Sequence, residues 1–274
     1  MAVMTWRETP QLSESDFLLF QRLVKERAQI TLGDNKAAML RARLGKLVRR
    51  GGHKSFRRYY RHLLEDGTGA ALQEFLNAVT TNKTSFFREV DHFEFLLDWP
   101  FSAGVAPKVW SAGCSSGEEP YSLAITFMER EAPPLRAKIL ATDISSKVLG
   151  IAQAGTYPME RLPPMPRERL RRYFLRGQGA SAGKFRVKPS VAECVRFQPH
   201  NLRDPIGGEA PFDVIFCRNV MIYFDRPFQE ALARRFAAAL APAGLLFVGH
   251  AESFTGFCPP ELRSLGQSIY QRIP

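Results

Sequence analysis

One stretch limits what this chain can fold into: Lys108-Val-Trp-Ser-Ala-Gly-Cys-Ser-Ser-Gly-Glu-Glu-Pro-Tyr-Ser-Leu-Ala-Ile125. A short apolar run suited to a buried strand breaks at Gly113, Ser115, Ser116 and Gly117. Leu123, Ala124, Phe127 and Met128 then recur at helical spacing. Strand, small-residue turn and helix let a nucleotide-like ligand approach the backbone and meet a helix N-terminus. The dinucleotide fingerprint needs a further glycine three residues on, which is missing. Glu118 and Glu119 would also repel a pyrophosphate there and favour a cationic ligand. An adenosine carrying positive charge, such as S-adenosylmethionine, suits this turn better than NAD.

Downstream, strand and helix alternate. A second strand, Ala137 to Thr142, closes on Asp143, a little over 20 residues after Gly117. A carboxylate at that place can accept from both ribose hydroxyls; otherwise Asp143 or Ser145 caps the helix Ser146 to Ala154. Pro133-Pro134 is expected to stop the first helix. Strands follow at Cys194 to Pro199, Pro211 to Cys217, Gly244 to Val248 and Ser268 to Arg272, with a helix from Pro227 to Leu240. Ligands in such sheets bind beyond the C-terminal strand ends. Asp143, Asn201 and Arg218-Asn219 bring polar groups there, although the two asparagines also suit turns. Between Tyr157 and Lys188 the alternation fails. Prolines, a basic helix Arg167 to Arg172 and two strand-like runs, Tyr173–Arg176 and Lys184–Lys188, predict a small antiparallel insertion at about 165–193.

The first 85 residues read differently. Leu18, Leu19 and Leu23, then Leu40, Leu44 and Leu47, then Phe56, Tyr60 and Leu63, then Leu72, Phe75 and Leu76 predict about four helices. Gln21 to His62 holds thirteen basic and two acidic residues, a difference equal to the whole net charge of +11. Arg43, Lys46, Arg49 and Arg50 fall off the leucine face of the second helix. They form either a solvated face or a docking surface for an acidic partner. The next stretch, Thr80-Thr-Asn-Lys-Thr-Ser-Phe-Phe-Arg-Glu89, reads as caps for a helix starting at Phe86 or as part of the site. No disulfide framework or metal-ligand spacing is visible among four cysteines. With no secretory signal and no membrane-length apolar run, a cytoplasmic protein without membrane insertion is expected.

Thr81–Glu89, Trp110–Ser122, Ala141–Ile144, Phe212–Asp225 and Gly249-His-Ala-Glu-Ser253 together resemble the chemotaxis receptor glutamate O-methyltransferases. The resemblance spans nearly the whole chain. It implies an α/β fold, a Rossmann-like class I S-adenosylmethionine-dependent methyltransferase domain over residues 86–274 with the inserted β-subdomain. A basic helical N-terminal domain over residues 1–85 precedes it. It further implies that Asn82, Thr84 and Arg88 contact S-adenosylmethionine, that Glu118 binds its amino group and Asp143 its ribose. Asn201 and Leu202 would frame the adenine, Arg218 and Asn219 would lie beside the methionine part, and Gly113 would be a further cofactor-binding residue. Tyr223 and Arg88 would be catalytic, beside the transferred methyl and the incoming carboxylate. The implied partners are the cytoplasmic methylation helices of chemoreceptors, docked on the basic helix, and a receptor C-terminal peptide on the β-subdomain. No metal and no nucleic acid are expected. The rivals are a nucleic-acid methyltransferase, suggested by the basic segment, and a non-catalytic S-adenosylmethionine sensor. A guanidinium at Arg218 suits an anion rather than a base amine, and a sensor has no need of Arg88 and Tyr223.

Overall fold

The computed structural model describes residues 10–101, 105–130 and 137–274. Two compact units divide the chain after Thr81, and the first also takes in Tyr223–Asp225.

Among its described residues the first unit holds four α-helices: α1 (Glu14–Ala28), α2 (Ala37–Arg50), α3 (Phe56–Glu65) and α4 (Ala70–Val79). Ser13 starts α1 by accepting from the Asp16 amide, and Ser55 starts α3 by accepting from Arg58. The buried stripe of α1 is Phe17, Phe20, Leu23 and Val24. Leu18, which a leucine count selects, is exposed. Aromatic packing decides this, because Phe20 sits 6.2 Å from Phe56 edge-on and 5.8 Å from Phe75. In α2 the stripe is Leu40, Leu44 and Val48, leaving Lys46, Arg49 and Arg50 exposed.

The second unit opens with α5 (Val90–Asp98), β1 (Lys108–Ala112), α6 (Glu118–Glu129), β2 (Lys138–Asp143) and α7 (Ser146–Ala154). Next come β3 (Thr156–Pro158), α8 (Arg167–Tyr173), β4 (Phe174–Arg176), β5 (Lys184–Val187), α9 (Pro189–Ala192) and β6 (Val195–Pro199). It closes with β7 (Phe212–Cys217), α10 (Arg226–Ala239), β8 (Leu240–Val248), β9 (Leu262–Gly266) and β10 (Ile269–Arg272). The large sheet has the order β6-β2-β1-β7-β8-β10-β9. Its first five strands are parallel, and β10 and β9 are antiparallel additions. β1 is buried along almost its whole length, as a central parallel strand should be. Strand order runs outward from β1 through β2 on one side and from β7 through β8 on the other. The switch point, and the crevice it opens, therefore lies between the tips of β1 and β7.

A second sheet, β3-β5-β4, is antiparallel. The expected hairpin is its β4–β5 pair. β3 has three residues, one a proline, too few to show a period. Phe86 is core rather than site: it packs edge-on against Tyr157 at 5.2 Å and Phe174 at 5.5 Å. The helix expected to start at Phe86 starts at Val90. Phe87 and Glu89 have φ of 53° and 57°, so the chain before α5 is a kinked loop and Thr84 and Ser85 cap nothing. The Pro133-Pro134 stop lies outside the described residues. No described helix is long and apolar enough to cross a membrane.

Candidate active site at the strand tips

The turn after β1 is built from backbone. Gly113 and Cys114 both donate to the Thr142 carbonyl, at 2.8 and 2.9 Å. Gly113 has φ 88°, and a Cβ there would meet Val220 Cγ2 at 2.5 Å, so only glycine fits. Asp143 then holds the turn. Its Oδ2 accepts from the Ser115 amide at 2.9 Å and its Oδ1 from Ser145 at 2.8 Å. The Ile144 amide adds a third backbone bond to this carboxylate, whose two oxygens have about four lone-pair sites between them. Burial raises the Asp143 pKa against these hydrogen bonds. Ser115 Oγ donates to the Asn82 carbonyl at 3.2 Å, stitching the kinked loop to the turn.

A charged cluster occupies the tips of β1 and β7. Glu89 Oε2 accepts from Arg218 Nε at 3.2 Å and Nη2 at 2.9 Å, and Glu89 Oε1 accepts from Asn219 Nδ2 at 3.2 Å. Arg218 also donates to the Arg88 carbonyl. Its Nη1 lies 3.7 Å from Glu119 Oε2 and has no hydrogen-bond partner despite being buried. Glu119 Oε1 accepts from Ser111 Oγ at 2.8 Å. Burial raises the Glu119 pKa, opposed mainly by Arg218. For Glu89, burial pushes upward, but Arg218 and the Asn219 and Arg218 hydrogen bonds outweigh it and hold the carboxyl below its ordinary range. Arg88 is half-open to solvent. Its Nη1 donates to the Lys83 carbonyl at 3.1 Å, and its Nε is 4.0 Å from Glu89.

Glu252 braces the other side. Its Oε2 accepts from the amides of Asn219 at 2.8 Å and Gly249 at 2.6 Å, and its Oε1 from Ile222 at 3.2 Å. Those bonds hold Asn219 at φ 59°. Beneath Glu89, His92 is buried. Its Nε2 lies 2.8 Å from the Gln267 carbonyl, which can only accept, so Nε2 carries the proton and Nδ1 faces Glu89 at 3.8 Å. Glu89, His92 and His250 place three ligand-type atoms within 4.8 Å of one another, but the carboxylate is already bonded to Arg218 and Asn219.

Residues 82–265 match the family model described as CheR methyltransferase, SAM binding domain, and residues 15–80 the one described as CheR methyltransferase, all-alpha domain. The chain belongs to the CheR methyltransferase family. It is 42% identical to a chemotaxis protein methyltransferase of Salmonella typhimurium, over 94% of this chain and 90% of that protein. The Escherichia coli chemotaxis protein methyltransferase is also 42% identical, over 94% and 91%. So is chemotaxis protein methyltransferase 2 of Pseudomonas aeruginosa, over 94% and 93%. The CheR fold, a helical domain followed by a class I methyltransferase domain with a small antiparallel sheet, is the one expected from the sequence.

The residues present fit S-adenosylmethionine. Glu89, Glu119 and Asp143 set three carboxylates against the guanidiniums of Arg88 and Arg218, which favours a cationic ligand. The unpartnered Arg218 Nη1 offers a buried donor to a ligand acceptor. Three of the expected residues have partners of their own in this CheR protein. Glu118 is fully buried, with Oε2 accepting from Ser116 Oγ at 2.7 Å and Oε1 from Arg161 Nη1 at 2.6 Å. The tip cluster contains Glu119 instead. Consecutive helix residues point about 100° apart, so only one of the pair can face the strand tips. Arg218 is neutralised by Glu89 through Nε and Nη2, which leaves only its Nη1 to offer to an anion. Arg43 is engaged rather than presented: its Nη1 donates to the carbonyls of Val79 and Thr80, both at 2.9 Å, and reaches that of Ala78 at 3.4 Å. It closes the C-terminus of α4. Arg50 is paired with Glu74.

Of the remaining expected residues, Asn201 Oδ1 accepts from the Arg203 amide at 3.2 Å, a turn within its own loop. Leu202 lines an apolar pocket with Trp110, Pro205, Leu232 and Phe236. Thr84 is half-buried in the kinked loop. Tyr223 follows the β7 tip but is part of the helical unit, where its carbonyl accepts from the Thr31 amide. Sequence reasoning gives Glu89 and Glu252 no part, and Glu119 only a share with Glu118 in favouring a cation. Glu89 and Glu252 stand inside the quoted motifs, and their adjacency to Arg88 and Gly249 was the available signal.

Proposed function

We propose that the protein transfers the methyl group of S-adenosylmethionine to glutamate side chains of chemotaxis receptors, forming methyl esters. The observation that carries this reading is the strand-tip cluster, in which Arg218 is neutralised by Glu89 while the Arg88 guanidinium remains half-open. When bound, S-adenosylmethionine supplies a methyl group on a sulfonium that an anionic oxygen can attack. A glutamate is ionised at neutral pH, with a reference pKa of about 4.3, so no general base is required. The protein's task is alignment and exclusion of water.

In this reading Arg88 orients the incoming carboxylate through its planar fork. Its solvent exposure and the nearby Glu89 at 4.0 Å keep that grip moderate, which matters because the negative charge is consumed in the transition state. Asp143 accepts from the ribose, Glu119 takes the amino group in place of Glu118, and Arg218 Nη1 meets the methionine carboxylate. Asn82, Thr84 and Asn219 close the loop around the cofactor, with Asn201 and Leu202 toward the adenine. Tyr223 stands beside the methyl and offers an aromatic face or hydroxyl to the sulfonium. Lys46 and Arg49, exposed on α2, dock the acidic receptor helices. A groove of about 600 Å³ on the small sheet, floored by Leu162, Phe174 and Phe185 and rimmed by Arg167, Arg171 and Lys188, suits a receptor C-terminal peptide with aromatic and acidic residues.

Incubation with methyl-labelled S-adenosylmethionine and either receptor-containing membranes or nucleic acid tests the proposal. Base-labile label on protein is expected. Label on nucleic acid, or none at all, would overturn it. Arg88→Ala should abolish transfer while S-adenosylhomocysteine still binds.

A further inference from the structure

The chain leaves the second unit after Ile222 and rejoins it at Arg226, and the three residues between belong to the helical unit. Three contacts fasten them there. The Thr31 amide donates to the Tyr223 carbonyl at 2.7 Å. Ile30 and Phe224 form an isolated antiparallel bridge. Lys25 Nζ donates to Asp225 Oδ2 at 2.6 Å, within 3.4 Å of the Gln29 carbonyl and 3.5 Å of Thr31 Oγ1. All the fastening groups come from the end of α1 and the residues just after it. Lys25 stands in the last turn, and Gln29, at φ 60°, turns the chain so that Ile30 and Thr31 run alongside the returning segment.

A residue whose carbonyl is held, and whose two successors are held as well, has its Cα position and Cα–Cβ direction set by that strap. We infer that Lys25, the Ile30–Thr31 backbone and Asp225 are positioning elements for Tyr223. This rests on the reading above in which Tyr223 stands beside the methyl. The basic face of α2 and the tyrosine then belong to one compact unit, so a receptor helix seated on α2 meets a Tyr223 fastened within that same unit. A pocket of about 360 Å³ lined by Gln21, Arg22, Lys25, Thr31 and Asp225 leaves the strap open to solvent. The Lys25 and Asp225 side chains are 32% and 42% exposed, so their pair adds little to global stability. Its effect belongs in turnover, where misplacement by about 1 Å costs up to about a hundredfold.

The test uses the full chain with receptor membranes and reads kcat, S-adenosylhomocysteine Kd and Tm. Lys25→Met and Thr31→Pro, the latter removing the amide donor to Tyr223 together with the weak 3.5 Å hydroxyl contact to Lys25, should lower kcat about 3- to 30-fold on that scale. Kd and Tm should stay at the wild-type values. The exchange Lys25→Glu with Asp225→Lys should regain most of the kcat lost in either single variant. Tyr223→Ala runs in parallel. If Tyr223→Ala is impaired but the strap variants turn over normally, the strap inference fails alone. If Tyr223→Ala is fully active, the role of Tyr223 fails and takes the inference with it. Should Thr31→Pro not fold, an exchange variant no better than its single parents overturns the inference.

Discussion

Replacing Arg43 by alanine should destabilise the helical unit rather than weaken receptor docking. The side chain reaches from α2 to the last carbonyls of α4, with two hydrogen bonds at 2.9 Å and a weaker one at 3.4 Å. Helix C-terminal carbonyls have no intrahelical donor. Bonds from a charged donor contribute roughly 1.5–3 kcal/mol when fully buried, and a cation at a helix C-terminus about 0.3–1 kcal/mol. These carbonyls are part-buried and water replaces some of the loss, so Arg43→Ala should cost about 1–2 kcal/mol. Lys46→Ala, on the exposed face of the same helix, should stay within about 0.5 kcal/mol of wild type. Urea unfolding followed by far-UV circular dichroism gives both values, and receptor titration gives the docking effect. The reasoning is refuted if Arg43→Ala is as stable as Lys46→Ala yet raises the receptor KM by the same factor.

Two further predictions concern the strand tips. Glu119→Gln should weaken S-adenosylmethionine binding about tenfold by removing a charge-assisted bond to the amino group. Glu118→Gln should lower Tm and leave that affinity within about threefold; calorimetric titration showing the reverse order would restore Glu118 as the ligand. Glu89→Gln should cost about 2–3 kcal/mol, below the roughly 3–5 of a fully orphaned buried charge, because Arg218, 1% exposed, loses its hydrogen-bonded carboxylate but keeps Glu119 at 3.7 Å. The Glu89 pKa is depressed below its ordinary 4.5, so its stabilisation is fully present above that value and is lost as pH falls through the folded-state pKa. Wild-type Tm should therefore drop toward the variant's in the acid range below about 4.5, and parallel Tm curves from pH 3 to 7 would count against this pairing.

Much of the architecture is legible in the chain itself, because local chemistry dictates it. The apolar run before Gly113, the helical spacing after Gly117 and the acid closing β2 define a strand–turn–helix unit and its ligand-facing end. The concentration of positive charge between Gln21 and His62 is likewise a property of the chain alone. What tertiary structure decided is where each polar side chain points. Glu118 and Glu119 are indistinguishable as letters, yet helix phase sends one to Arg161 and the other to Ser111 and Arg218. Arg43 belongs to the basic run, but the end of α4 claims it. Glu89 and Arg218 lie 129 positions apart and pair because the start of α5 packs on β7, with Phe93 5.8 Å from Phe216. Tyr223 follows a sheet strand in sequence while its carbonyl bonds to the helical unit. Periodicity and turn chemistry act over a few residues and can be read along the chain. Partner choice depends on which distant segments packing brings together, and no local pattern encodes that.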